Sequence, residues 1–435
     1  LKKTIYVNYL VQLCAVATNL VFTLLIVHEL GATGYGEYSL FFNSLAFSIL
    51  LLGFNLPAIV IFFIANKKID ASKLLTSGLL FISAASLALS LLLSFSKELG
   101  FATAIFPNGD PKSIWIFFFA AQFFLLQVNG LLAAFLNAHK IFLPVSLTSF
   151  CCNLLLLFFW FLLSSGSVSF RESNFNLIWW SSIGCNSVIL IFYLYLAFAR
   201  VGVIGKSGII SRVNLGQIAG FAFIVYLCNT IQFLNYKMDI YFVNHYGIKQ
   251  DVGIYSLALS LSQLVWILPN TVTGIVVNYL EVNKRQQSIG YAMDYASPIF
   301  YSSLLISILL FIAYYFLLPV VYGSDFTAAL DLCLILFFGA IPFTLSIMIA
   351  ALNSAIGFVR LNLYATLFAF FLGFTLDLLF IPLFGLIGAA WAKVIMYIGG
   401  LAYQMYLGKR FYNLVPGDLF RLPKRQDMQA FLKNL

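Results

Sequence analysis

Gly36-Glu37-Tyr38-Ser39-Leu40 returns 217 residues later as Gly253-Ile254-Tyr255-Ser256-Leu257, and Asn66-Lys67-Lys68 returns at the same offset as Asn283-Lys284-Arg285. Leu136-Asn137 is echoed by Leu352-Asn353 at an offset of 216. Three anchors at one spacing read as two copies of a half-molecule in one chain. Composition then names the solvent. Hydrophobic residues make up 62% of the chain and charged residues 9%, against about 25% charged in soluble domains. The chain reads as an all-α integral membrane protein.

A helix needs about 20 apolar residues to cross roughly 30 Å of hydrocarbon. Twelve runs qualify: 5–28, 39–64, 74–94, 114–138, 141–163, 175–199, 219–246, 254–280, 295–319, 329–355, 361–383 and 386–407. Lys2 and Lys3 followed by Ala15-Val16-Ala17 resemble a signal peptide, but the apolar run continues to Val27, so the first run is expected to be an uncleaved helix. Eighteen Lys and Arg residues fall in even-numbered connections or the termini, and four (Lys97, Lys112, Arg171 and Lys249) in odd ones. By the positive-inside rule both termini are expected in the cytoplasm. The net charge of +9 is thus an orientation signal, not a nucleic-acid patch.

Six spans per half return the chain to its starting side, which predicts two repeats related by a pseudo-two-fold axis along the membrane normal. The expected domains are an N-terminal six-helix lobe at 1–200, a cytoplasmic hinge at 201–214, a C-terminal six-helix lobe at 215–408 and a basic cytoplasmic tail at 409–435. Within the tail, Met428, Phe431, Leu432 and Leu435 make one apolar helical face, which suits a helix lying on the membrane surface or a solvated tail. The six cysteines lie in the spans without metal-ligand spacing and are expected to be free thiols packed as small apolar groups.

Polar residues gather on faces. At about 100° per residue, Asn8, Gln12 and Asn19 share one side of the first span. Gln217, Asn229, Gln232, Asn235 and Asp239 share an arc of the seventh, and Ser256, Gln263 and Asn270 form a stripe on the eighth. Single amides in membrane helices often serve as interhelical glue; stripes on three helices point to a hydrated cavity, and transporter sites lie at repeat interfaces.

Four charges sit deep. Lys237 and Asp239 lie about 15 and 12 Å below the outer edge, on nearly opposite faces of one helix, so neither neutralises the other. Asp377 and Lys393 are each eight residues from Gly385 on adjacent antiparallel spans, which predicts a structural ion pair, with a cavity role as the alternative. Pro57, Pro144, Pro269, Pro298 and Pro342 are expected to kink their spans.

Leu30-Gly31-Ala32-Thr33-Gly34-Tyr35-Gly36-Glu37-Tyr38-Ser39, Lys237-Met238-Asp239 leading to Val252-Gly253-Ile254-Tyr255-Ser256-Leu257-Ala258, and Ile381-Pro382-Leu383-Phe384-Gly385-Leu386-Ile387-Gly388-Ala389-Ala390-Trp391-Ala392 carry a resemblance over nearly the whole chain. The chain resembles the polysaccharide (O-antigen) flippases of the multidrug/oligosaccharidyl-lipid/polysaccharide (MOP) exporter superfamily. The position of Asp377 is commonly Asn there, and that of Lys393 a small polar residue. Related lipid II flippases usually have fourteen spans, so twelve argue against that branch.

The resemblance implies a MATE-like fold and a non-enzymatic function. It implies a flippase that moves an undecaprenyl-pyrophosphate-linked oligosaccharide across the bacterial inner membrane by alternating access. Asn and Gln walls would hold the sugar and Lys237 the pyrophosphate; no cofactor is implied, and Asp239 is the candidate for coupling to a Na+ or H+ gradient. Partners would be the lipid-linked oligosaccharide, membrane lipids and other polysaccharide assembly proteins, with no nucleic acid. Two rivals remain. One is an ion-coupled multidrug or cation antiporter of the same superfamily. The other is a membrane glycosyltransferase or polymerase, disfavoured because the Phe95–Ser113 loop has no paired carboxylates and His28, His139 and His245 lie apart.

Overall fold

The computed structural model describes residues 2–65, 70–106, 112–164, 173–202, 212–276, 285–322 and 326–422. Among these there is no strand. The helices are α1 (Lys2–Gly53), α2 (Leu56–Ala65), α3 (Ala71–Ser94), α4 (Ala102–Ile105), α5 (Ser113–Ala138), α6 (Phe142–Ser164), α7 (Ser173–Leu196), α8 (Arg212–Tyr246), α9 (Lys249–Ser262), α10 (Ile267–Val276), α11 (Arg285–Tyr322), α12 (Thr327–Ala355), α13 (Val359–Tyr412) and α14 (Pro416–Phe420).

Two of these turn on a single glycine. Gly31 interrupts α1 at φ 65° and Gly385 interrupts α13 at φ 57°, in the left-handed region that glycine enters without a Cβ penalty. The 54 residues of α13 would reach about 80 Å if straight, enough for two crossings of roughly 30 Å. Eight helices among the described residues are long and apolar enough to cross a membrane. Counting α1 and α13 twice, and adding α8 and the α9–α10 pair, yields the twelve expected crossings.

The second crossing of each half is broken where a continuous span was expected. In 39–64, α1 stops at Gly53, Phe54 and Asn55 take positive φ, and α2 starts at Leu56. A side chain from elsewhere lies at the break: Gln127 Nε2 donates to Ile49 O at 2.9 Å, and a Cβ on Gly53 would fall 2.1 Å from that amide. In 254–280, a 3-10 turn at Gln263–Trp266 separates α9 from α10. Pro57, Pro144 and Pro269 therefore stand in first helical turns, where the missing N–H costs nothing. They are not the mid-helix kinks expected; Pro298 and Pro342 do lie inside α11 and α12.

The chain forms two compact units, residues 1–31 with 37–230 and residues 32–36 with 231–435. The division falls inside α8, between Thr230 and Ile231; of the expected 201–214 connection, 203–211 lies outside the described residues. One core of the first unit gathers Phe41, Phe118, Phe119 and Phe123 around Trp179. The core of the second gathers Ala292, Ala296, Leu345, Met348 and Leu401.

Within the second unit the repeat is visible as a reciprocal contact. A Cβ on Gly36 would lie 2.0 Å from Lys249 O, and one on Gly253 would lie 1.9 Å from Ala32 O. Both pairs, 36 with 253 and 32 with 249, are related by the offset of 217. The two glycines let the backbones cross where any side chain would collide with a carbonyl.

The first part of the tail is docked: α14 buries Leu419, Tyr301 donates to Phe420 O at 3.1 Å, Ser297 donates to Arg421 O, and Arg421 pairs with Asp294 at 2.9 Å. The apolar face proposed for Met428, Phe431, Leu432 and Leu435 lies outside the described residues, as do Asn66-Lys67-Lys68 and Asn283-Lys284. All six cysteines are free thiols. Cys152 and Cys333 are buried as expected, whereas Cys14 and Cys151 are exposed on their helices.

Candidate functional site

The second unit contains a cavity of about 240 Å³. From α8 it receives Gln232, Asn235 and Tyr236, from α10 Asn270, and from α12 Phe343, Ser346, Ile347 and Ala350. The two limbs of α13 complete it with Asn362, Ala365, Thr366 and Ala369 on one side and Met396, Tyr397, Gly400 and Gln404 on the other. Among the described residues no charged one lines it.

Its walls are cross-linked by hydrogen bonds between helices. Asn235 Nδ2 donates to Thr366 O at 3.1 Å, and Asn353 Nδ2 donates to Asn362 Oδ1 at 2.9 Å. Asn362 Nδ2 donates to Ala350 O at 2.7 Å. On another side Tyr236, Trp266, Phe343 and Tyr397 form a ring cluster with centroids 4.6–6.0 Å apart. Trp266 Nε1 donates to Ala340 O at 3.1 Å, which satisfies the indole and fixes its plane. Four lining residues, all more than nine-tenths buried, keep an atom without a hydrogen-bond partner among the described residues: Asn235 Oδ1, Ser346 Oγ, Tyr397 OH and Gln404 Oε1. Folded proteins leave few such groups.

A buried charge cluster adjoins this wall. Lys393 Nζ lies 2.9 Å from Asp239 Oδ2 and donates to Asn235 O at 2.8 Å. Tyr255 OH donates to the same carboxylate oxygen. The ammonium also stands 5.8 Å from the centre of the Tyr397 ring, so it touches two cavity residues without entering the cavity.

The expected Asp377–Lys393 ion pair is thus corrected to Asp239–Lys393. Equal distance from Gly385 sets the depth of residues 377 and 393 but not their rotation about the helix axes, and the long lysine stem reaches across to α8. Asp377 is buried and makes no ion pair within 4 Å among the described residues, although both Asp239 and Lys393 act on it electrostatically. Lys237 is half-buried and has no hydrogen bond or ion pair among the described residues; Asp239 attracts it and Lys393 repels it.

Of the other residues expected to line a cavity, Gln232, Asn235 and Asn270 do so. Gln263 is half-buried outside the lining, and Asn19 and Asn229 are exposed on the first unit. The side chains of Asn8, Gln12 and Gln217 lie outside those described. Sequence reasoning missed Ser346, Asn362, Thr366 and Gln404. A signal was present: residues 362, 366 and 369, and residues 397, 400 and 404, each fall within about 60° on a helix.

The architecture is an all-helical, MOP/MATE-like membrane fold. A lipid II flippase, MurJ, in an inward closed conformation superposes with a TM-score of 0.72 at 16% identity, over 98% of this chain and 92% of that one. An inward-facing multidrug resistance MATE family transporter of the MOP superfamily matches at 0.64 and 15%, over 96% of each chain. The eukaryotic MATE transporter AtDTX14 matches at 0.61 and 14%, over 97% of this chain and 95% of that one. No protein-family model matches the sequence, and neither does any curated protein.

Proposed function

We propose that the protein is a flippase that carries an undecaprenyl-pyrophosphate-linked oligosaccharide, an O-antigen or similar repeat unit, across the bacterial inner membrane by alternating access of its two six-helix halves. The observation that carries this reading is Lys237. A half-buried ammonium in a membrane helix, attracted by Asp239 but with no hydrogen bond or ion pair within 4 Å among the described residues, can take an anion supplied from elsewhere. A pyrophosphate is such an anion, whereas a cationic drug would be repelled. The fold shared with a lipid II flippase and with MATE transporters supports membrane transport over enzyme chemistry.

Asp239 is the proposed site of coupling to Na+ or H+. There an incoming cation would compete with the Lys393 ammonium for the carboxylate. Both termini are placed in the cytoplasm. A cysteine at Lys73 should then resist a membrane-impermeant thiol reagent in intact cells, and one at Thr33 should react. The opposite pattern would reverse the orientation.

Deleting the gene in its source cells should remove surface polysaccharide and leave resistance to cationic drugs unchanged. Lost drug resistance with intact polysaccharide would instead establish the antiporter reading.

A further inference from the structure

The cavity of the second unit has a composition and size that narrow its ligand. Five amides and four hydroxyls, two of them phenolic, face it, and among the described residues no ionised side chain does. Such walls offer donors and acceptors in pairs, suited to a ligand rich in hydroxyl groups, and they give a bare charge nothing to pair with. Its volume of about 240 Å³ equals about eight waters at ~30 Å³ each and falls below the ~300 Å³ at which drug-sized pockets begin. That volume accommodates one sugar ring. The unpartnered atoms of Asn235, Ser346, Tyr397 and Gln404 are buried polar groups with hydrogen-bonding capacity to spare.

We propose that this cavity is a subsite for a single uncharged pyranose of the transported head group, with Gln404 and Asn270 as hydrogen-bonding contacts and the Tyr397 and Phe343 rings as its apolar platform. The proposal rests on the oligosaccharide-flippase reading and places one part of that substrate within the second unit, apart from the pyrophosphate assigned to Lys237. Lys393 is a positioning residue here, since it holds the Asn235 carbonyl and stands over the Tyr397 ring.

The test uses the full chain in proteoliposomes and, as probe, the lipid-linked oligosaccharide pool extracted from the source cells. Translocation is read as loss of periodate-protected sugar. Gln404→Leu, which removes a buried acceptor, and Asn270→Leu, at an exposed position that tolerates change, should each raise the half-saturating probe concentration about tenfold. Ala350→Leu, which fills the space, should do the same. Protein amount and thermal midpoint are matched to the parent, and Asn270→Leu alone decides if the buried variants fold poorly. A parent-like concentration dependence in Asn270→Leu would overturn the subsite while leaving the flippase reading intact. Failure of the parent itself to translocate the probe would overturn both.

Discussion

Asp239→Asn and Lys393→Met are each expected to cost about 3–5 kcal/mol of stability, because each leaves the other charge buried and unpaired. The pair is 2.9 Å apart with side chains 3% and 0% exposed, so solvent does little to relieve the charge left behind. Combining the two substitutions should cost much less than their sum, since an apolar or neutral pair of similar size has no stranded charge. Asp377→Asn should be mild by comparison, as that carboxylate has no ion pair within 4 Å among the described residues. Thermal midpoints and folded yields in detergent would check this. If Asp377→Asn proved as damaging as Asp239→Asn, and its effect vanished in the Lys393→Met background, the lysine would belong to Asp377 after all.

Lys237→Ala is expected to reduce surface polysaccharide to the level of the deletion strain with normal protein in the membrane. Removing a half-buried ammonium that makes no hydrogen bond or ion pair among the described residues should spare stability, so the defect would lie in transport. Lys237→Arg should recover part of the export, because it keeps the charge and changes its geometry. Normal export by Lys237→Ala at matched protein levels would place the anion elsewhere or make the substrate neutral.

The physical reasons for these contrasts also explain what was legible in the sequence. The offset of 217 survives in the structure as the Gly36–Gly253 crossing, because two backbones can meet there only where both repeats keep glycine. Hydrophobic length located the twelve crossings but passed over the breaks. Gly53, Asn55 and Pro57 marked one locally, yet the Gln127 amide that meets the Ile49 carbonyl comes from a helix 78 positions away. Depth counted from Gly385 placed Asp377 and Lys393 at one level and mispaired them, since pairing also depends on which face of α8 turns toward the hairpin. Gln232 and Asn235 on one span and Asn270 on the next were found by helical geometry. Gln404 and Asn362 obey the same geometry on α13, where small residues between them diluted the polar pattern.

The central claim is best tested with purified protein in vesicles carrying lipid-linked oligosaccharide in both leaflets. The sugar on the outer face is oxidised by an impermeant reagent, and the protected fraction is followed over time. The account predicts that the parent protein exposes the protected half within the assay, and that Lys237→Ala leaves it protected as in empty vesicles. A protected half unchanged by the parent protein, in vesicles where the same protein exchanges a cationic dye, would contradict the account and identify an antiporter.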